Sequence, residues 1–269
     1  MKIGCVVCGP DVAHGPLALL SGTFEEKCAK AARLGFQGIE LMVRDPAALD
    51  WSAVKATLDR HGLEVPQVVT GELFGADGLC LVTADDDLFE RSLARARSVV
   101  DLAAHLGAMV NLGRLRGNLA WLGDVADREA AAVARIRPLV AYAAGRGVRI
   151  TLEPINRYEV DFVHTAEDGV RWVEAVGGES FGLMLDIFHM NIEDASIEEG
   201  LRRAGPRLWH VHVADSNRRY PGAGHTAFGP VFATLRSMGY GGYVSAEVLP
   251  LPDPDTAAER TALFLKAHL

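Results

Sequence analysis

Short apolar runs and helix-patterned segments alternate eight times along this chain, and that alternation constrains its fold more than any other feature. The runs span 2–7, 37–42, 63–69, 108–112, 148–153, 181–186, 208–213 and 243–248. The run 181–185 is apolar on both alternating faces, which is the pattern of a strand covered on both sides. The helical segments span 23–34, 51–61, 86–106, 127–144, 165–175, 196–203, 230–238 and 255–268. Thr23 and the Thr165–Asp168 pair stand where caps belong, and Gly35, Gly62, Gly107, Gly145, Gly205 and Gly239 stand where helices stop. Buried strands alternating with helices predict a parallel sheet, and eight such units in 269 residues predict a single (β/α)8 TIM barrel, one domain over 1–269. The alternative is an open doubly wound sheet. Against it, no G-x-G-x-x-G follows the first run and no G-x-x-x-x-G-K-[ST] occurs.

Charge narrows the partners. The formal net charge is -8 with no basic run, which argues against nucleic acid or an anionic membrane surface. No apolar run approaches the roughly 20 residues that span a bilayer. Residues 1–7 are too short, and meet Gly9-Pro10 too soon, for a signal peptide, so a cytoplasmic protein is expected. Cys5 and Cys8 form a CxxC, but no second CxxC exists to complete a zinc site. Residues three apart on a strand also point to opposite faces, so no metal role is expected for this pair.

Four strand candidates end in chemistry. Glu153, Asp186 and Glu247 follow or close the fifth, sixth and eighth runs, and His212 lies near the end of the seventh. Singly, a carboxylate after a strand reads as a helix cap or a salt-bridge partner. Four such groups on consecutive strands of a barrel share its C-terminal face, where active sites are built. Three oxygen ligands and one nitrogen suit Mn²⁺, Mg²⁺ or Co²⁺ rather than a structural zinc. A divalent ion held there can act as a Lewis acid on a carbonyl.

The segments LEPINRYE (152–159), LDIFHMNIE (185–193), HVHVADSNR (210–218) and SAEVLP (245–250), with Gly38-Ile39-Glu40, carry a family resemblance. They resemble the D-tagatose 3-epimerase group of ketose 3-epimerases, within the xylose-isomerase-like barrel superfamily. Val43-Arg44-Asp45-Pro46 and residues 211–218 look most like the 5-keto-L-gluconate epimerases of that group. The resemblance implies Glu153, Asp186, His212 and Glu247 as metal ligands, with Mn²⁺ first among the metals. It implies Glu153 and Glu247 as the acid/base pair, and Glu159, His189 and Arg218 as substrate-binding residues. It further implies a small sugar or sugar acid as substrate and a homo-oligomer, dimer or tetramer. Inversion of a carbon beside a ketone explains two glutamates, because a proton leaves one face and returns on the other.

Other residues carry two readings each. His210 alternates with His212 and reads as structural. His225 either closes over the site or sits in solvent. Arg114 and Arg116 either meet a substrate carboxylate or lie in a solvated loop. Glu40 either supports the site or touches substrate, and Phe74 and Trp121 either wall the distal sugar carbons or pack in the core. Among functions, an aldose–ketose isomerase such as a hydroxypyruvate isomerase, or an inosose dehydratase, shares the metal site. An endonuclease for abasic DNA wants more histidine ligands and a basic face. A non-catalytic sugar sensor has no need of two glutamates.

Overall fold

The computed structural model describes residues 1–269. In chain order the elements are β1 (Lys2–Cys8), α1 (Phe24–Leu34), β2 (Gly38–Met42), α2 (Trp51–Arg60), β3 (Gln67–Val69), α3 (Gly71–Gly75), α4 (Asp86–Leu106) and β4 (Met109–Leu112). There follow α5 (Arg128–Gly145), β5 (Ile150–Leu152), α6 (Ala166–Val176), β6 (Phe181–Asp186), α7 (Ile187–Glu193), α8 (Ile197–Ala204), β7 (Leu208–Val213), α9 (Phe228–Ser237), β8 (Tyr243–Ala246) and α10 (Pro254–His268). All neighbouring strands are parallel, and β8 returns to pair with β1, Lys2 opposite Tyr243 and Cys5 opposite Ala246. The closed barrel is the predicted (β/α)8 architecture. Two short helices depart from the predicted alternation, α3 and α7, and both follow directly on strand ends at the site. No helix is long and apolar enough to cross a membrane.

The helices start where the sequence supplies caps. Thr23, Asp50, Asp85, Asp127, Thr165, Ser196 and Asp253 each accept the backbone N–H three residues on. Each such cap contributes about 1 kcal/mol. Gly35 and Gly107 end α1 and α4 with φ of 81° and 70°, the left-handed region that glycine enters without a Cβ penalty.

Alternation along the strands sorts residues into two regions. Ile39, Leu41, Leu152, Leu183, Leu185, Val211 and Val213 meet the helices, in one apolar cluster with Leu58, Leu102, Trp172, Leu201, Leu235 and Leu265. The intervening residues Glu40, Gln67, Asn111, Thr151, His210, His212 and Ser245 are also buried, and they fill the barrel lumen with polar groups. The CxxC splits in the same way: Cys5 joins the strand–helix cluster, and Cys8 joins a smaller one with Val6, Met42 and Val69 at the barrel mouth. All four cysteines are free and buried. One irregularity affects the lumen. Leu183 pairs with Leu208 but Met184 pairs with His210, so Trp209 is an extra residue in β7. Its ring covers Gly182, where a Cβ would come within 2.6 Å of the indole.

Candidate metal and substrate site

The strand order places Glu153, Asp186, His212 and Glu247 on four consecutive barrel strands, β5 to β8, at the C-terminal mouth. One ligand atom from each lies within 4.8 Å of the others. Glu153, Asp186 and His212 are buried and Glu247 is half-buried. Asp186 is divided between two tasks. Its Oδ1 accepts the Phe188 N–H at 2.9 Å and so caps α7, while its Oδ2 lies 2.9 Å from Arg218 Nη1. His212 turns Nε2 toward Glu40, and its Nδ1 lies 3.7 Å from Glu247 Oε2.

These residues fit a divalent cation. His212 Nδ1 is a buried nitrogen with no hydrogen-bond partner, and Asp186 Oδ2 likewise lacks a directed hydrogen bond. Buried polar atoms are nearly always paired, so the unpaired Nδ1 of His212 facing the carboxylates is an atom a metal ion could take up. Three carboxylate oxygens and one imidazole nitrogen are also a donor set that a divalent ion takes.

The two glutamates sit in different fields. Burial, then the charges of Glu247 and Asp186, push Glu153 up to about 8. Burial also acts to raise Glu247, but Arg218 and His212 outweigh it and hold that carboxyl below its usual value. Arg218 reaches Glu247 through a hydrogen bond from Nη2. Asn111 Nδ2 donates to Glu153 Oε2 at 3.1 Å. Gly113 leaves room for that carboxylate, because a Cβ there would come within 2.8 Å of Glu153 Oε2.

His189 and Glu159 are joined through Asn156. Asn156 Nδ2 donates to Glu159 Oε1 at 2.9 Å and lies 2.8 Å from His189 Nδ1. Glu159 only accepts, so it fixes the amide with its NH₂ toward the ring, and His189 Nδ1 is the acceptor. Burial, then the Arg218 charge, hold His189 well below the usual histidine range. His189 Nε2 lies 3.3 Å from Arg218 Nη1, 3.7 Å from Asp186 Oδ2 and 3.8 Å from Glu153 Oε1. Arg218 itself has φ of 59°, a left-handed conformation that is uncommon for a non-glycine residue. Its N–H donates to Asp215 O and its carbonyl accepts from Leu249, both at 2.8 Å, and its guanidinium lies 4.5 Å over the Phe188 ring.

A cavity of about 120 Å³ opens at these groups, lined by the apolar Pro16, Leu17, Met42 and Val69 and by the polar Glu72, Arg114, Glu159 and His189. A larger groove of about 390 Å³ lies at the opposite mouth between Lys55, Glu64, Arg149 and Trp209, away from the carboxylates.

Several sequence expectations change here. Arg116 is neither a solvated loop residue nor a substrate partner. It is fully buried, and its guanidinium donates to the carbonyls of Gly113, Glu153, Phe162 and Val163. Arg44 is exposed and paired with Asp77. His225 is exposed and bonded to Ser216, and it does not line the cavity. Phe74 and Trp121 stack on each other at 6.0 Å, with Arg114 over Phe74 at 4.6 Å, so they back Arg114 rather than wall the cavity. His210 is structural, as expected, and Glu40 lies beneath the site, out of reach of substrate. Gln67, Asn111, Gly113 and Asn156 were not singled out. Asn111 carries a signal, a polar residue inside a run otherwise apolar.

With the geometry described, the chain can be compared with known proteins. Residues 28–268 match the xylose isomerase-like TIM barrel family. The chain belongs to that family. It is 32% identical over 222 residues to an L-ribulose 3-epimerase of Methylomonas sp. (strain DH-1), covering 81% of this chain and 76% of that protein. It is 30% identical over 234 residues to a D-psicose 3-epimerase of Agrobacterium fabrum (strain C58 / ATCC 33970), covering 84% and 80%. Among solved structures it is similar to a D-allulose 3-epimerase from Methylomonas sp. in complex with D-allulose, with TM-score 0.81, 25% identity, and 100% and 97% of the two chains covered. Within the xylose isomerase-like barrels, this chain is therefore an enzyme of the isomerase class, with epimerases as its relatives.

Proposed function

We propose that this chain is a metal-dependent ketose 3-epimerase acting on a neutral, non-phosphorylated ketose. The observation that carries this reading is the pair Glu153 and Glu247. They stand at the two ends of the β5–β8 run, as the outer members of the ligand cluster, and their surroundings push their proton affinities apart. Such a pair suits inversion better than a single-base shuttle or a dehydration.

Glu153, Asp186, His212 and Glu247 would hold the ion, and three carboxylates with one imidazole suit Mn²⁺, with Mg²⁺ or Co²⁺ as substitutes. When bound, the ion supplies Lewis-acid polarisation of the substrate carbonyl. The remaining work falls to side chains. Glu247, kept ionised by Arg218 and His212, takes the proton from the carbon beside the ketone. Glu153, at the other end of the β5–β8 run, delivers a proton to the opposite face of that carbon. The reverse reaction exchanges the two roles. His189 binds a substrate oxygen, Arg218 orients the carbonyl end, and Glu159 holds Asn156 and through it the His189 ring.

The relatives favour a neutral substrate, since they are named for L-ribulose and D-psicose. Arg114 and Arg218 are the arginines that line the cavity. Arg44 and Arg116, which also follow strands, are committed elsewhere. A keto-sugar acid of the 5-keto-L-gluconate type would rest on Arg114. The test is kcat/KM for D-tagatose, D-fructose, D-psicose and L-ribulose beside a keto-sugar acid, with deuterium uptake from solvent followed by NMR. Uptake at C3 with inversion of a neutral ketose is expected. Faster turnover of the acid moves the substrate class, and no uptake into any ketose sinks the epimerase reading.

A further inference from the structure

Glu40 lies in the lumen directly beneath the ligand cluster and is fully enclosed. Its carboxylate receives three donors. His210 Nε2 lies 2.8 Å from Oε1, His212 Nε2 lies 3.0 Å from Oε1 and 2.9 Å from Oε2, and Gln67 Nε2 lies 2.7 Å from Oε2. The Gln67 amide is itself oriented, because its Oε1 accepts the Thr151 hydroxyl at 3.0 Å. A carboxylate only accepts, so each of these nitrogens presents N–H to it. In the neutral ring that a metal ion requires, this leaves the lone pair on Nδ1, the atom that faces Glu247 and lacks a hydrogen-bond partner.

We infer that Glu40 is a positioning residue that sets the tautomer and ring angle of His212, so that Nδ1 is presented to the metal, with His210 and Gln67 holding Glu40 in place. This rests on the metal reading above. Metal-ligating histidines generally donate their second nitrogen to such a partner, whose loss weakens metal binding by about 10- to 100-fold. Glu40, His210 and His212 can also be read as a three-ligand site of their own. That alternative needs the single Nε2 of His212 to serve an ion as well as Glu40, in a space closed to water.

The experiment compares wild-type protein with Glu40→Gln. Mn²⁺ is stripped and returned in a calorimetric titration, and thermal unfolding of the stripped proteins is followed. The Kd for Mn²⁺ is expected to rise about 10- to 100-fold in the variant, with one ion per chain in both proteins. Activity at saturating Mn²⁺ is expected to recover most of its wild-type value. The second readout needs no variant: ¹⁵N-histidine NMR of the Mg²⁺-loaded wild-type protein, expected to show the His212 proton on Nε2. A wild-type Kd in Glu40→Gln, a proton on Nδ1, or two ions per chain would each overturn the inference. Failure of wild-type protein to bind Mn²⁺ would instead remove the metal reading beneath it.

Discussion

Arg218 and Asp186 meet through one oxygen only: Nη1 lies 2.9 Å from Oδ2, while Oδ1 is taken by the first turn of α7. The two oxygens of Asp186 can therefore be tested apart. Asp186→Asn keeps an oxygen to cap α7 but removes the charge. Metal content by elemental analysis is expected to fall sharply, with little loss of stability in the metal-free protein. Asp186→Ala loses the cap as well, about 1 kcal/mol more by urea unfolding. Full metal occupancy in Asp186→Asn would remove it from the ligand set.

The two glutamates are expected to be separately indispensable. Glu153→Gln and Glu247→Gln should each lower inversion by about 100-fold or more, the usual weight of a positioned acid or base. Each base serves one face of the carbon, so one variant can still exchange the substrate proton with solvent while failing to invert it. Parallel assays of inversion and of deuterium wash-in separate these outcomes. Wild-type turnover in either variant would rule out a two-base mechanism.

Gly113 tests how tightly Glu153 is placed. A Cβ there meets Glu153 Oε2 at 2.8 Å and Asn111 Oδ1 at 3.1 Å. Gly113→Ala should shift the carboxylate and lower kcat/KM by about 10-fold or more, since small misplacements of reacting groups are costly. The melting temperature should move little. An unchanged kcat/KM would show that Glu153 has slack.

Asp194 gives a pH signature away from the ligands. Burial pushes its carboxyl up to about 6, while its Oδ1 accepts the Ala166 N–H at 3.1 Å. Between about pH 4, the unfolded value, and that point, the native state holds a proton that the unfolded chain has released. Its contribution to stability is therefore complete below about pH 4 and is lost as pH rises through about 6. Asp194→Asn should abolish this slope and add about 1 kcal/mol at neutral pH, an amount reduced by the group's partial exposure. Urea unfolding of both proteins at pH 4.5 and 7.5 isolates the effect, and equal differences at the two pH values would refute it.

The barrel was legible because its signals are local. Each strand is a short apolar run, and seven of the long helices carry their own side-chain cap. The four candidate ligand positions were legible because they close consecutive strands. What escaped depends on contacts between distant strands. Arg116 looked like a loop residue because the sequence around it is polar and glycine-rich, yet four carbonyls from three separate segments draw its guanidinium inside. Glu40 and His210 lie 170 residues apart, and only barrel closure brings them within 2.8 Å. Helix α7 was missed because Asp186, its cap, belongs to β6 and the helix starts with no intervening loop.

The polar lumen has a consequence for how this molecule would fail. Greasy contacts that resist unfolding lie in the sleeve between strands and helices, whereas the interior column from Ser245 and Gln67 up to Asp186 is hydrogen-bonded and charged. Wear on one need not show in the other. A variant stripped of its chemistry can keep its circular dichroism and solubility, so shape is a poor proxy for competence in this chain. Anyone hardening it against heat can repack the sleeve freely and should leave the column alone.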